Sequence, residues 1–181
     1  AHRACQAGEI LRLKPGLFVL SPLYRKSEPH PFVVAAVLHA PSHISLESAL
    51  AYHGLIPEAV YEVSSVTVGR SREFATPLGV FSFRCVPTRA PRAGVEAAAV
   101  ARNAWAFIAS PVRAIADAVY LNKQITWKQN GLGYLTESLR IEEDDLRSLS
   151  FESLDEILDS IRSLRVRAYL EGLKGAVNHA G

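Results

Sequence analysis

Two histidines four residues apart, His39 and His43, are the first candidates for metal chemistry in this chain. A zinc pair at that spacing needs both imidazoles on one helical face, and Pro41 between them breaks the helix. No cysteine lies nearby to complete a ligand set, so all six histidines read as structural or exposed. Cys85 falls in an apolar strand pattern, where a small buried residue is expected, not a thiolate activated by cations or a helix N-terminus. The run Glu142-Glu-Asp-Asp145 lacks the glycine that a calcium loop needs at its sharp turn, and it reads as a solvated helix start. A Gly-x-Ser-x-Gly elbow and a phosphate loop are both absent, and Gly131-Leu-Gly133 lacks the third glycine of a dinucleotide fingerprint. No carboxylate is followed two positions on by lysine, a common nuclease spacing, and no Gly-Ser precedes an Asp-x-Asp pair as in nucleotidyltransferases. The expectation is no enzyme, no cofactor and no metal, with an enzyme of unrecognised type as an open alternative.

The elements that must position any site are those of a chain of 181 residues, 49% apolar and 21% charged, ample for a real core. No apolar stretch approaches the ~20 residues of a membrane span. The longest, around Phe32–Leu38, has no basic leader or cleavage site, so neither a membrane partner nor a signal peptide is expected. Cys5 and Cys85 are too few for a framework of bridges and fit a reducing, cytoplasmic setting. The net charge of +2 hides an asymmetry: residues 1–136 carry 14 Lys+Arg against 8 Asp+Glu, residues 137–181 carry 6 against 10. A basic front half can neutralise phosphates, or it can be an ordinary solvated surface.

Ala1–Ala7 reads as the last turns of a helix closed by Gly8, and Glu9–Leu20 as a β-hairpin turning at Lys14-Pro-Gly16. Residues 21–31 hold three prolines and read as a linker. Phe32–His39 reads as a buried helix, and a second helix starts from Ser45 as N-cap and ends at Gly54. Strands are expected at Val60–Gly69, Gly79–Pro87 and Ala104–Ala109, with Arg70–Phe74 as a basic loop. Ser110-Pro111 starts a helix through Asn122, on which Arg113 and Asp117 can pair. Residues 128–134 read as a loop. Beyond Thr136 the pattern is helical, with an apolar stripe from Phe151 to Leu164 and a capping box Ser153-x-x-Glu156. The class is α+β, with a hairpin unit and linker over 1–28 and a second domain over 29–181, its sheet core running to about 127 and its helical tail covering 135–178.

Several segments resemble one family in order and spacing. Gly8-Glu-Ile-Leu-Arg-Leu-Lys-Pro-Gly16-Leu-Phe-Val is similar to the wing of a winged helix-turn-helix, more narrowly that of AbiEi-type antitoxins of type IV toxin–antitoxin systems. Ile44-Ser-Leu-Glu-Ser-Ala-Leu-Ala-Tyr-His-Gly-Leu55 resembles that family's Ser-x-x-Ser-Ala-Leu-x-x-His-Gly-Leu helix. Gly79-Val-Phe-Ser-Phe and Ala109-Ser-Pro-Val-Arg-Ala-Ile-Ala-Asp117 resemble its sheet and its Pro-x-x-Ala-x-x-Asp helix. The likeness covers roughly residues 8–122.

That resemblance implies a transcriptional regulator without catalysis. Its winged helix would bind operator DNA, and its C-terminal domain would neutralise a toxin of nucleotidyltransferase type. A complete winged helix needs about 60–70 residues, with a recognition helix ahead of the wing, so in this chain the DNA-binding unit is expected to be incomplete. Phosphate contacts are expected from Arg3, Arg12 and Lys14, with Arg70 and Arg72 as a second basic patch facing phosphate or toxin. Ordinary exposed charge is the competing reading at each of these positions. His53 is expected to pack beside Gly54, and Asp117 to be structural. A protein-interaction module without DNA binding is the alternative function.

Overall fold

The computed structural model describes residues 1–57 and 62–179. Val60, the first residue of one expected strand, lies outside them. The class is α+β: a two-stranded sheet of β1 (Ile10–Lys14) and β2 (Leu17–Leu20), and a six-stranded mixed sheet ordered β5-β6-β4-β3-β8-β7. The larger sheet comprises β3 (Ser42–Ile44), β4 (Glu62–Thr67), β5 (Arg72–Thr76), β6 (Gly79–Cys85), β7 (Val95–Ala101) and β8 (Ala104–Ala109). β4 runs parallel to β6 and β3 parallel to β8, while the other neighbours are antiparallel.

Helix α1 (His2–Gln6) closes at Gly8, whose φ of 70° is the left-handed conformation that glycine adopts freely. The hairpin turns at Pro15-Gly16 as its sequence predicts. The boundary at residue 28 divides two sheets but not two cores. Leu13 of β1 is buried in the main apolar cluster, and β1 packs against β5. Helix α2 (Pro31–Leu38) starts on His30, whose Nδ1 accepts the Phe32 amide at 3.2 Å. Burial lowers the pKa of this imidazole, which favours the neutral form that can accept.

Helix α3 (Leu46–Tyr52) follows Ser45 and ends at Gly54. Helix α4 (Pro111–Leu121) is buried from Val112 through Val119, with the Ser110 hydroxyl accepting the Arg113 amide as its cap. It lies between the sheet, α3 and the C-terminal helices. Those are α5 (Trp127–Asn130), a π-turn at Tyr134–Ser138, α6 (Glu143–Arg147), α7 (Leu154–Ser160) and α8 (Leu164–His179). Among the described residues no helix is long and apolar enough to cross a membrane.

Four local readings need correction. The basic loop at 70–74 is largely strand β5, charged because it is an edge. Residues 128–134 are mostly helical turn, capped by the Thr126 hydroxyl on the Gln129 amide. The stripe from Phe151 to Leu164 is not one helix. The Ser160 carbonyl is taken by the Arg89 amide and the Thr88 hydroxyl, Ile161 is extended, and Leu164 is 80% exposed. The capping box fails too, since no side-chain bond caps α7 at Ser153.

Candidate functional site

Arg3 and Arg12 are exposed, on α1 and on the outward face of β1. Lys14 is not free: its ammonium donates to the carbonyls of Val37 at 3.2 Å and Leu38 at 2.6 Å, closing the C-terminus of α2. Arg70 and Arg72 are exposed, and Arg72 lies on β5, the strand against which β1 packs. The fold therefore brings the strand bearing Arg12 beside the strand bearing Arg72, although 60 residues separate them in sequence. A groove between α1 and the hairpin is lined by Cys5, Ile10, Leu11, Arg12 and Phe18.

The polar residues of the α3 segment have structural partners. Ser45 Oγ donates to Asp117 Oδ2 at 2.8 Å. Ser48 and Ser64 each accept the other's amide on a hydroxyl, at 2.8 and 3.0 Å, and Ser64 Oγ donates to the Ser45 carbonyl. His53 Nε2 lies 2.9 Å from the Ala109 carbonyl, which can only accept, so this nitrogen carries the proton. Together these bonds stitch α3 to β4, β8 and α4.

Asp117 is fully buried. Arg113 Nε donates to its Oδ1 at 3.0 Å, and His43 Nε2 stands 3.5 Å from Oδ2 without hydrogen-bond alignment. Burial pushes the carboxyl pKa up, but His43, Arg113 and Ser45 outweigh that and hold it below its ordinary value. The set holds a serine, a histidine and an aspartate, yet not in the order that activates a nucleophile. Asp117 takes the Ser45 hydroxyl, whereas a general base would have to be His43 on that hydroxyl. With Ser45 wholly buried, the arrangement ties the start of α3 to α4 and lacks the serine–histidine bond of an activated nucleophile. The expectation that Arg113 and Asp117 pair is met, at full burial and not on the surface.

Beside this cluster lies a cavity of about 310 Å³, reached by the end of α2, the starts of β3 and β7, the end of β4, the 86–92 loop, β8 and α4. Arg113 and His43 form part of its wall, and Arg92 stands at Phe107 with its guanidinium carbon 4.1 Å from the ring centroid. Sequence reasoning weighs His43 only as half of a metal pair with His39 and does not place it with Arg92 and Phe107, because no local pattern unites segments this far apart. Among the described residues no group of three His, Cys, Asp or Glu side chains is arranged to hold a metal ion. Neither protein-family models nor curated proteins yield a match to the chain.

Proposed function

We propose that this chain is the effector body and wing of an antitoxin-like transcriptional regulator, acting by binding without catalysis in the cytoplasm. The observation that supports this reading is the hairpin. It forms a two-stranded sheet outside the six-stranded one, carries α1 against it, and leaves Arg3 and Arg12 exposed. A β-ribbon with cations on its outer face grips sugar-phosphate backbone, and each phosphate neutralised releases counterions. Lys14 is left out of that grip because its ammonium holds α2. Arg72 at the start of β5, with Arg70 just ahead of it, adds exposed cations at the strand against which β1 packs. Residues 29–181 are then the part that meets a toxin of nucleotidyltransferase type.

The test is the salt dependence of binding to duplex DNA, read by fluorescence anisotropy. Arg3→Gln and Arg12→Gln should each reduce the log–log slope by about 0.9, and Lys14→Gln should leave it unchanged. Slopes that ignore both arginines remove the wing from the reading.

A second reading, a protein-interaction module without DNA binding, draws on a different surface. Trp105 is 64% exposed, and Phe107 is exposed two residues on along the same face of β8. Large exposed aromatics are typical anchors for a partner. Loss of partner binding in Trp105→Ala, with no DNA binding at low salt in the parent protein, would favour it.

A further inference from the structure

We propose that the open edge of the six-stranded sheet, strand β7, pairs antiparallel with the same strand of a second copy of this chain, about a two-fold axis beside Ala98. The inference is independent of the regulatory reading and uses none of the cations assigned there to phosphate.

Strand β7 ends the sheet order, and among the described residues it pairs with β8 alone. The Ser110 amide donates to the Gly94 carbonyl at 2.8 Å, one step before the Val95–Ala109 pair. Bonded and unbonded pairs alternate along an antiparallel ladder, so Glu96 and Ala98 direct their peptide groups to β8. Those of Ala97 and Ala99 point the other way, where no further strand follows. Natural edges are guarded against added strands by charge, proline or a cover. The opposite edge is: β5 opens on Arg72 and Glu73 and has β1 packed against it. From Val95 to Ala99, β7 has no proline and Glu96 as its one charge, and its bulge comes only after Ala99.

The charges name the occupant. Glu96 stands near the start of β7 and Arg102 just past its end, both exposed and, among the described residues, in no salt bridge. A two-fold axis beside Ala98 sets Ala97 opposite Ala99 of the second copy, and Ala99 opposite its Ala97, so the outward amides and carbonyls of both residues are met. The two Ala98 residues then face each other as an unbonded pair, whose Cα atoms approach to about 4.5 Å, a spacing that alanine fits. Glu96 faces Val100 of the second copy, with Arg102 as the diagonal neighbour within reach. Symmetry repeats the match at the other end. A parallel copy would instead set Glu96 against Glu96 and Arg102 against Arg102.

The flanking face adds apolar area. Ala97 lies opposite Phe107 and Ala99 opposite Trp105, so the four side chains share a face, and all four are exposed. The alanines are too small to screen the aromatics from a strand added beyond them, so pairing covers apolar surface along with the edge.

The experiment is sedimentation equilibrium of the full chain between about 1 and about 100 µM, where a dimer should form with a Kd of roughly 10 µM. Ala97→Pro removes an outward amide that β8 does not use, and Ala99→Lys puts a charge on the covered face. Each should weaken the dimer at least about tenfold, with the urea midpoint at about 1 µM unchanged. The orientation is read from charge reversal. Glu96→Arg and Arg102→Glu should each weaken the dimer about tenfold, and the double variant should recover it to within about threefold of the parent protein. A chain monomeric throughout would overturn the proposal and leave the edge to a strand of another protein. A dimer indifferent to both Ala97→Pro and Ala99→Lys would overturn it by placing the contact elsewhere, and a double variant no tighter than either single one would overturn the two-fold pairing.

Discussion

Ser45 Oγ and Asp117 Oδ2 meet at 2.8 Å across 72 residues of chain, joining the residue before α3 to the middle of α4 where both are buried. The hydroxyl donates to an ionised carboxylate that has no access to water, so the bond belongs to the stronger, charge-assisted kind. Ser45→Ala should cost about 1.5–3 kcal/mol. Asp117→Asn leaves Arg113 buried without its counter-charge and should cost about 3–5 kcal/mol. Because the two residues share one contact, the double variant should lose clearly less than the sum, with a coupling of at least ~1 kcal/mol in urea unfolding. Additive losses would mean that Ser45 acts through packing alone.

Acid should act through the same carboxylate. Asp117 is held below its ordinary value of 3.8 in the folded protein, so its stabilisation is present above the unfolded-state pKa and lost as the pH falls through the folded one. The stability gap between the parent protein and Asp117→Asn should be flat from about pH 7 to about pH 5 and should narrow below about pH 4. Urea midpoints of both proteins across that range check it. A gap that widens on acidification would place the carboxyl's pKa above the ordinary value.

Leu46 opens α3 at a φ of 55°, a left-handed conformation that strains a branched side chain. Bonds on either side hold it there: Ser64 Oγ donates to the Ser45 carbonyl, and the Ser48 amide donates to Ser64 Oγ. The side chain is retained for its packing on Val66, Val86 and Ala118. Both Leu46→Ala and Leu46→Gly lose that packing, but only glycine relieves the backbone. Leu46→Gly should therefore be the more stable of the two by about 0.5–1 kcal/mol, the reverse of their order inside an ordinary helix. Thermal or urea unfolding of the pair decides it.

What the chain discloses before folding is what depends on neighbours in sequence. Ser110-Pro111 marks the start of α4, and Gly8, Gly16 and Gly54 mark ends and turns, because capping and left-handed glycines are local events. Strand β7 escapes notice because Val95–Ala101 is rich in alanine, which has little strand preference. Its conformation is set by pairing with β8, Ala97 opposite Phe107 and Ala99 opposite Trp105. Strand β5 escapes because an edge strand tolerates charge. The spacing of Arg113 and Asp117 announces a pair that is buried or half-buried; that the burial is complete depends on β8, α3, α7 and α8 closing around α4. Lys14 shows the same limit. Its charge is visible in the sequence, but its two carbonyl partners lie 23 and 24 residues away.

The acidic C-terminal segment is bound into the core by a cation. Arg165 of α8 points its Nη1 at the carbonyls of Val119, Asn122 and Ile125 and its Nη2 at that of Tyr120, supplying donors where the last turn of α4 has none. Positive charge there also opposes the negative end of the α4 dipole. Behind it Val166, Leu170 and Leu173 share one apolar cluster with Ile115 and Val119. Two outcomes follow in denaturant. The whole chain should unfold in a single transition, with tryptophan fluorescence, reporting Trp127 on α5 and Trp105 on β8, coincident with far-UV circular dichroism. Arg165→Ala should shift that transition by about 2–3 kcal/mol. Arg165→Lys should recover only part of the loss, since an ammonium restores the charge but cannot span four carbonyls with a planar fork. A separate early transition that Arg165→Ala leaves in place would show the tail to be an independent unit resting on the sheet domain.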